Sequence, residues 1–207
     1  MIPYGTFTFF LIAFIVLIPV IILGFLGKRS YIYNGISTAI MIVIIFASDK
    51  HNLLGQKYLS AQLFCFIIYV IWQVALIMYY YQSRQKKNTF TKFVTIMVLS
   101  ILPLAIVKIL QSSWLGGHQI HFHESKLIEF VGFLGISYVT FKSVQLIMEI
   151  RDGSIKEIKV GKLIQFISFF PTISSGPIDR YKRFVKDDKK VPSGAEYREL
   201  VVKAIHM

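Results

Sequence analysis

The sequence is short of cysteine and of acidic residues. Its single cysteine, Cys65, excludes an intrachain disulfide. Only 11 Asp and Glu stand against 23 Lys and Arg, which leaves a formal net charge of +12. The sequence also contains no Gly-rich phosphate loop, no zinc-protease helix and no nucleophile elbow. These absences exclude a disulfide-stabilised fold and argue against the familiar soluble enzyme classes.

Apolar residues dominate what is present. They make up 55% of the chain, charged residues only 16%, and the mean hydropathy is +0.59. Several apolar runs approach or exceed the roughly 18 residues that indicate a membrane span. The basic residues stand between these runs, where they orient a membrane protein, so nucleic acid is not expected as a partner. We therefore predict an all-α, polytopic membrane helix bundle.

About five spans follow from the apolar runs. They cover approximately residues 7–27, 31–47, 59–81, 90–110 and 127–150. Taken together, the loops after spans one, three and five hold 10 Lys and Arg, against 3 in the segments on the other side, so we place these loops in the cytoplasm and the N-terminus outside. The chain is expected to be a multi-pass membrane protein, with residues 1–207 forming one membrane domain.

The segment 163–180 is apolar at first but is interrupted by Pro171 and then by Gly176 and Pro177. Proline lacks the N–H that a helix needs, and glycine adds backbone freedom, so a continuous span is not expected. If the segment dips into the membrane and returns, the loops hold 18 Lys and Arg inside and 3 outside. We predict a re-entrant segment, followed by a basic cytoplasmic loop over residues 181–196. Three roles stay open for this loop: contact with anionic lipid head groups, contact with an acidic soluble partner, and anchoring of the topology alone.

Span five carries polar side chains on two opposite faces. At 100° per residue, Ser137 and Thr140 fall on one side, and Lys142 and Glu149 fall on the other. Such a helix belongs inside the bundle, and intramembrane charges are costly and commonly functional. The alternative is that these residues pair with other helices for assembly only.

A loop rich in histidine is the one place where a metal was considered. His121 and His123 alternate, which suits one face of an extended strand and the ligand preferences of zinc. No second cluster of ligands supports this site, so we predict a solvated outer loop and no metal.

The end of the sequence predicts an incomplete element. Ser193 and Glu196 have the spacing of a capping box, which begins a helix. That helix turns apolar and stops at Met207, after about 14 residues, short of the roughly 20 that a span needs. We expect the chain to be the N-terminal portion of a longer protein.

Two stretches resemble motifs of the membrane-bound O-acyltransferase (MBOAT) superfamily. Residues 135–141, GISYVTF, are similar to its GISF-x-TF element, and FFP at 169–171 followed by GPIDR at 176–180 is similar to its FFP…GPI-x-R element. Their order and spacing also fit. Within the superfamily the chain is most similar to the N-terminal half of proteins of the Dlt branch, which D-alanylate teichoic acids in Gram-positive bacteria. The opening Met1-Ile2-Pro3-Tyr4 and the Ile178-Asp179-Arg180-Tyr181 version of the second motif support this narrower match.

This resemblance implies an activity and its partners. Such proteins take D-alanine from the phosphopantetheine thioester of a small acidic D-alanyl carrier protein. They move it across the membrane to lipoteichoic or teichoic acid, together with a membrane-anchored Dlt partner protein. No cofactor is expected to be bound by this chain itself.

The resemblance also implies where the chemistry lies. The superfamily's essential histidine acts as a general base on the acceptor hydroxyl. No residue here matches it, since His206 comes too early, so we expect the catalytic histidine beyond Met207 and no activity from this chain alone. Candidates for the wall of the substrate passage combine the polar residues of span five with the second motif: Ser137, Thr140, Lys142, Glu149, Ser175, Gly176, Pro177, Asp179 and Arg180.

Two other classes of function stay open. Broken segments and intramembrane charges also mark transporters, so the chain could be half of a transporter or lipid flippase, although no second broken segment is seen. A non-catalytic membrane scaffold that assembles with another chain is the third possibility.

Overall fold

The computed structural model describes residues 7–28, 31–47, 55–86, 89–111, 135–173, 179–189 and 192–206. Within these ranges every regular element is helical, which confirms the all-α prediction. The elements are α1 (Phe7–Phe25), α2 (Tyr31–Ala47), α3 (Gly55–Lys86), α4 (Phe90–Gln111), α5 (Ile136–Arg151), α6 (Val160–Ile167), a 3₁₀ turn (Phe170–Thr172), α7 (Tyr181–Lys189) and α8 (Gly194–Ile205).

The apolar runs form the long helices. In the part of the chain that the structure describes, two stretches are long and apolar enough to cross a bilayer, Gln62–Lys86 in α3 and Phe90–Ile109 in α4. The apolar stretches Phe9–Phe25 and Ile32–Phe46, in α1 and α2, are shorter. Helix α3 extends past the predicted span at both ends, because helical residues such as Arg84 and Lys86 can continue into water. The number of spans and the orientation of the N-terminus stay predictions.

Large apolar side chains cover the outer faces of these helices. Phe14 of α1, Ile32 of α2, Phe64 of α3 and Ile109 of α4 are all more than half exposed. A water-soluble monomer rarely leaves contiguous apolar surface of this kind uncovered. With helices of this hydropathy, such a surface is suited to lipid, and the chain is a membrane helix bundle.

The chain divides into two compact units. One consists of residues 1–56 and 185–207 and contains α1, α2 and α8. Here α8 packs on α1 through the rings of Phe25 and Tyr197, whose centroids are 5.3 Å apart at nearly right angles. The Oγ of Ser193 accepts a hydrogen bond of 3.3 Å from the Glu196 N–H, so the predicted cap of this helix is confirmed.

The other unit, residues 57–184, contains α3 to α6 and the first turn of α7. Its core is formed by apolar side chains that are almost fully buried, including Ile77, Val139, Leu146, Leu163 and Ile167. Helices α4 and α5 pack side by side in this unit. All the features discussed below as a candidate site belong to it.

The segment predicted to be broken is divided into short elements. Helix α6 is 8 residues long and is followed by a 3₁₀ turn with Pro171 in its first turn, where the missing N–H of proline costs least. Helix α7, 9 residues long, lies in the segment predicted as a basic loop, because Tyr181, Phe184 and Asp188 recur on one side and pack inward. Whether 163–180 enters and leaves the membrane on one side stays a prediction.

Candidate functional site

A cavity of about 300 Å³ lies where α5, α6, the 3₁₀ turn and α7 meet. Three phenylalanine rings supply its apolar walls, and four polar side chains supply its chemistry. The lining residues are Lys142, Phe166, Phe169, Thr172, Asp179, Arg183 and Phe184. The cavity is therefore lined both by Lys142, in the middle of predicted span five, and by residues from the two ends of the broken segment, such as Phe166 and Asp179.

Lys142 is the most deeply buried charged group at this cavity, with only 2% of its surface exposed. Its Nζ donates hydrogen bonds to the Phe166 carbonyl oxygen, at 3.2 Å, and to Thr172 Oγ1, and it lies 5.5 Å from the Phe166 ring centroid. Because Phe166 is in the last turn of α6, the ammonium also faces the negative end of that helix. Lys142 thus connects α5 to the point at which α6 ends.

Asp179 supplies the negative charge of the cavity. Its Oδ1 accepts a hydrogen bond of 2.8 Å from the Arg180 backbone N–H and lies 3.8 Å from Arg183 Nε. A carboxylate at the start of α7 is favoured by the positive end of the helix. Asp179 and Lys142 line one cavity, so two of the predicted passage residues lie together.

An aromatic cluster attaches α7 to α6. The Phe166 ring centroid is 5.4 Å from the rings of both Tyr181 and Phe184, and Phe169 lies 5.7 Å from Phe184, all in edge-on contacts. Burial raises the pKa of the Tyr181 phenol, although a hydrogen bond with the Lys159 backbone acts in the opposite direction. Tyr181 therefore remains neutral in the physiological range and packs against Phe166 as a member of the aromatic cluster.

The two stretches that resemble acyltransferase motifs touch each other directly. Gly135 begins the first stretch with φ +91°, a left-handed conformation that side chains rarely adopt. A Cβ at this position would lie 2.5 Å from Ile173 Cγ2 and 2.7 Å from the Ile173 carbonyl oxygen. Only glycine permits this approach, so the start of α5 packs against the 3₁₀ turn of the second stretch.

Glu149 lies two turns beyond Lys142 on α5 and is half-buried. The Lys182 backbone amide lies beside its carboxylate, and Arg180, Lys182 and Asp179 are the charged groups that act on it. Within the described residues its Oε2 has no hydrogen-bond partner. The structure therefore brings Glu149 close to Asp179 and Arg180, as members of one polar face that includes the first turn of α7.

The remaining predicted residues are distributed differently. Ser137 is half-buried at the start of α5, and Arg180 is exposed. Thr140 is 0% exposed and makes contacts with α3 instead of lining the cavity. Ser175, Gly176 and Pro177 lie outside the described residues, as do His121 and His123 of the zinc alternative.

Thr140 belongs to a hydrogen-bond network that the sequence did not reveal. Ser100 Oγ donates to Gln73 Oε1 at 2.7 Å, and Gln73 Nε2 donates to Tyr69 OH at 2.8 Å and to the Ser100 carbonyl at 3.0 Å. Tyr69 OH lies 2.7 Å from Thr140 Oγ1, which donates to the Ile136 carbonyl. Since Thr140 has one proton, Tyr69 is the donor in their contact. Polar residues inside the apolar runs of α3 and α4 were the signal that could have predicted this network.

Comparison with known proteins gives homologues of one kind. The chain is 45% identical over 207 residues to the teichoic acid D-alanyltransferase of Bacillus subtilis (strain 168), covering 100% of this chain and 49% of that protein. It is 42% identical over 207 residues to the enzyme of the same name from Lacticaseibacillus rhamnosus, covering 99% and 46%. It is 32% identical over 203 residues to the teichoic acid D-alanyltransferase of Streptococcus thermophilus (strain ATCC BAA-250 / LMG 18311), covering 98% of this chain and 44% of that protein.

These relatives confirm the resemblance to the D-alanylation branch that the sequence predicted. The chain spans about half the length of the curated relatives it matches. No protein-family model matches it.

Proposed function

Because the chain is a homologue of teichoic acid D-alanyltransferases over nearly its whole length, we propose that it is part of a membrane O-acyltransferase of this kind. Its product is a D-alanyl ester of teichoic or lipoteichoic acid. The observation that carries the proposal is the 45% identity over all 207 residues. The contact between the two motif-like stretches at Gly135 and Ile173 supports it, because it gives both stretches a shared structural role.

The reaction requires a donor and an acceptor that meet within the membrane protein. The donor is D-alanine held as a thioester on the phosphopantetheine arm of a D-alanyl carrier protein, and a membrane-anchored Dlt protein assists. The acceptor hydroxyl attacks the thioester carbonyl, a C–O bond replaces the C–S bond, the hydroxyl proton passes to a general base, and the thiol leaves. No histidine of this chain matches the superfamily's base, so we assign the base to the part of the relatives that this chain does not cover.

This chain's own contribution is a shaped wall for that reaction. Lys142 acts as a positioning residue, since its ammonium is occupied by the Phe166 carbonyl and Thr172 and holds the broken segment against α5. Asp179 and Arg183 provide charge at the same cavity, and Glu149 extends the polar face. Fixing such groups on packed helices is how a scaffold keeps reacting atoms in register.

The basic side of α7 provides the surface for partners. Lys182, Arg183 and Lys186 are exposed, while Tyr181 and Phe184 of the same helix face the aromatic cluster. A small acidic carrier protein and anionic lipid head groups both complement this charge. We expect either contact on the side that the positive-inside arrangement assigns to the cytoplasm.

A chimera tests the proposal. The matched segment of the B. subtilis D-alanyltransferase is replaced by this sequence and expressed in cells that lack the endogenous enzyme, and alkali-labile D-alanine on teichoic acids is measured. The chimera is expected to restore the ester, and the 207-residue chain alone is expected to give none.

Two outcomes would count against these expectations. Ester formed by the chain alone would overturn the assignment of the general base to the uncovered part. A well-expressed chimera that leaves the teichoic acids unmodified would count against the D-alanyl function and favour the transporter hypothesis.

A further inference from the structure

A second polar cluster lies away from the Lys142 cavity, where the C-terminal ends of α3 and α5 meet the start of α4. Arg84 Nε donates a hydrogen bond of 3.2 Å to the Arg151 carbonyl oxygen, and Tyr81 OH donates one of 3.0 Å to the Lys156 carbonyl oxygen. These contacts bring two arginines to one end of the helices. The function proposed above uses neither of them.

Arg151 is held by aromatic rings. Its Cζ lies 4.2 Å from the Phe93 ring centroid and 5.3 Å from that of Phe90. The N–H groups of a guanidinium lie in its own plane. When this plane stacks on an aromatic ring, they point outward past the ring edge and stay available to an acceptor. Among the described residues this guanidinium forms no ion pair.

Arg84 is fixed beside it by the backbone. Gly153 follows α5 with φ +74°, and a Cβ at this position would come within 3.0 Å of Arg84 Nη2. The turn therefore leaves room for the guanidinium. With Nε used by the Arg151 carbonyl, the other N–H groups of Arg84 have no hydrogen-bond partner within the described part of the chain.

Tyr80 supplies an independent observation. Its side chain is only 2% exposed, its ring packs 6.1 Å from that of Phe93, and its hydroxyl has no hydrogen-bond partner among the described residues. Arg151, Arg84 and Asp152 are the charged groups that act on this hydroxyl. A buried hydroxyl without a partner is costly, and a hydrogen-bond acceptor that reaches it would remove that cost.

We propose that Tyr80, Arg84 and Arg151 bind the phosphate of an anionic membrane lipid. A phosphodiester offers acceptor oxygens that match guanidinium forks and a hydroxyl donor, and its single negative charge is offset by the two arginines. Asp152 is the carboxylate that opposes anion binding, but it is exposed and forms no ion pair with either arginine in the described ranges.

The surroundings favour a lipid as the source of this phosphate. Tyr79 is 59% exposed and Phe90 65% exposed, and both belong to the helix ends that carry the cluster. Exposed tyrosine side chains at the ends of membrane helices lie at the level of the lipid head groups. The phosphates of the membrane lipids therefore lie at the same depth as the cluster.

The experiment measures lipid binding to the purified 207-residue chain in neutral detergent by native mass spectrometry. Short-chain phosphatidylglycerol, short-chain phosphatidylcholine and inorganic phosphate are titrated separately. We expect retention of phosphatidylglycerol. Arg84→Gln or Arg151→Gln should weaken it on the order of tenfold to a hundredfold, as the loss of a charge-assisted hydrogen bond does.

Two variants distinguish binding at these three side chains from non-specific attraction by the positive charge of the surface. Tyr80→Phe removes only the unpartnered hydroxyl, so the lipid-free thermal midpoint should stay the same or rise, while phosphatidylglycerol binding should weaken by about three- to tenfold. Lys156→Gln removes one exposed positive charge from the same end of the helices and should leave binding unchanged.

Three results would overturn the proposal. One is equal weakening by Lys156→Gln and by the arginine variants, which would indicate diffuse attraction. Another is unaltered binding in Tyr80→Phe. The third is saturable binding of inorganic phosphate without discrimination between the two lipids, which would assign the cluster to a free anion.

Discussion

Gly135→Ala tests the contact between the two motif-like stretches. The added methyl would lie 2.5 Å from Ile173 Cγ2 and 2.7 Å from the Ile173 carbonyl oxygen, and the second of these is backbone that cannot rotate away. A left-handed conformation costs a non-glycine residue about 1–2 kcal/mol, and overpacking costs about 1–3 kcal/mol. The free energy of unfolding should therefore fall by about 2–5 kcal/mol.

The assay is the thermal midpoint of the chain in detergent, followed by intrinsic fluorescence. At the ~2–4 °C per kcal/mol typical of proteins of 150–250 residues, the midpoint should fall by about 4–20 °C. Gly161→Ala is the matched control, because a Cβ there meets nothing within 4 Å, and alanine in the α6 helix is favoured by about 0.5–1 kcal/mol.

A double variant identifies the source of the loss. Ile173→Ala alone should destabilise by about 2–5 kcal/mol, since this side chain is 1% exposed. Combined with Gly135→Ala, it removes the clash with Cγ2 but leaves the clash with the carbonyl, so the cost of the pair should be less than the sum of the single costs. Strict additivity, or a midpoint for Gly135→Ala equal to that of Gly161→Ala, would refute the reasoning.

Two further variants test the cavity and the interhelical network. Lys142→Met, made in the B. subtilis chimera, should lower D-alanine ester on the order of 100-fold through misplacement of the broken segment. Its thermal midpoint should change little, because the loss of the hydrogen bonds to the Phe166 carbonyl and Thr172 is offset by removal of the desolvation cost of the buried ammonium. Lys156→Met should leave the ester unchanged, and parental ester in Lys142→Met would contradict a positioning role. Gln73→Leu leaves Ser100 Oγ without its acceptor and removes the hydrogen bond that Tyr69 OH accepts, so the free energy of unfolding should fall by about 1–3 kcal/mol; an unchanged midpoint would show that the network does not stabilise the bundle.

Hydrophobic run length predicted the long helices well. Helix α2 has the predicted limits of Tyr31 and Ala47, and α4 differs from its prediction by one residue at Gln111. The ends of α3 were missed by four or five residues, because hydropathy marks where a segment meets water and not where its backbone hydrogen bonds stop. Helix α7 was described as loop because its charged side chains concealed the recurrence of Tyr181 and Phe184.

The site was predicted only in part, for a different physical reason. A 100° projection places Thr140 and Lys142 on separate faces of α5, and both faces are indeed buried. A projection does not say which helix covers each face. Thr140 is covered by α3 through Tyr69, whereas Lys142 is covered by the end of α6 through Phe166. The distinction between an assembly contact and a cavity wall therefore depends on tertiary packing.

The two motif-like stretches are best understood as halves of one packing unit. Gly135 and Lys142 are seven residues apart on α5, which is about 10 Å along the helix axis. They contact Ile173 and Thr172, which are adjacent in the second stretch, and Lys142 also contacts Phe166 at the end of α6. The broken segment is thus attached to α5 at two positions along the helix. At Gly135 the backbones approach closely, and at Lys142 the buried ammonium donates hydrogen bonds to the segment. Such a two-point attachment fixes both the position and the angle of the 3₁₀ turn, so Gly135 and Lys142 together determine the shape of the cavity that this turn lines.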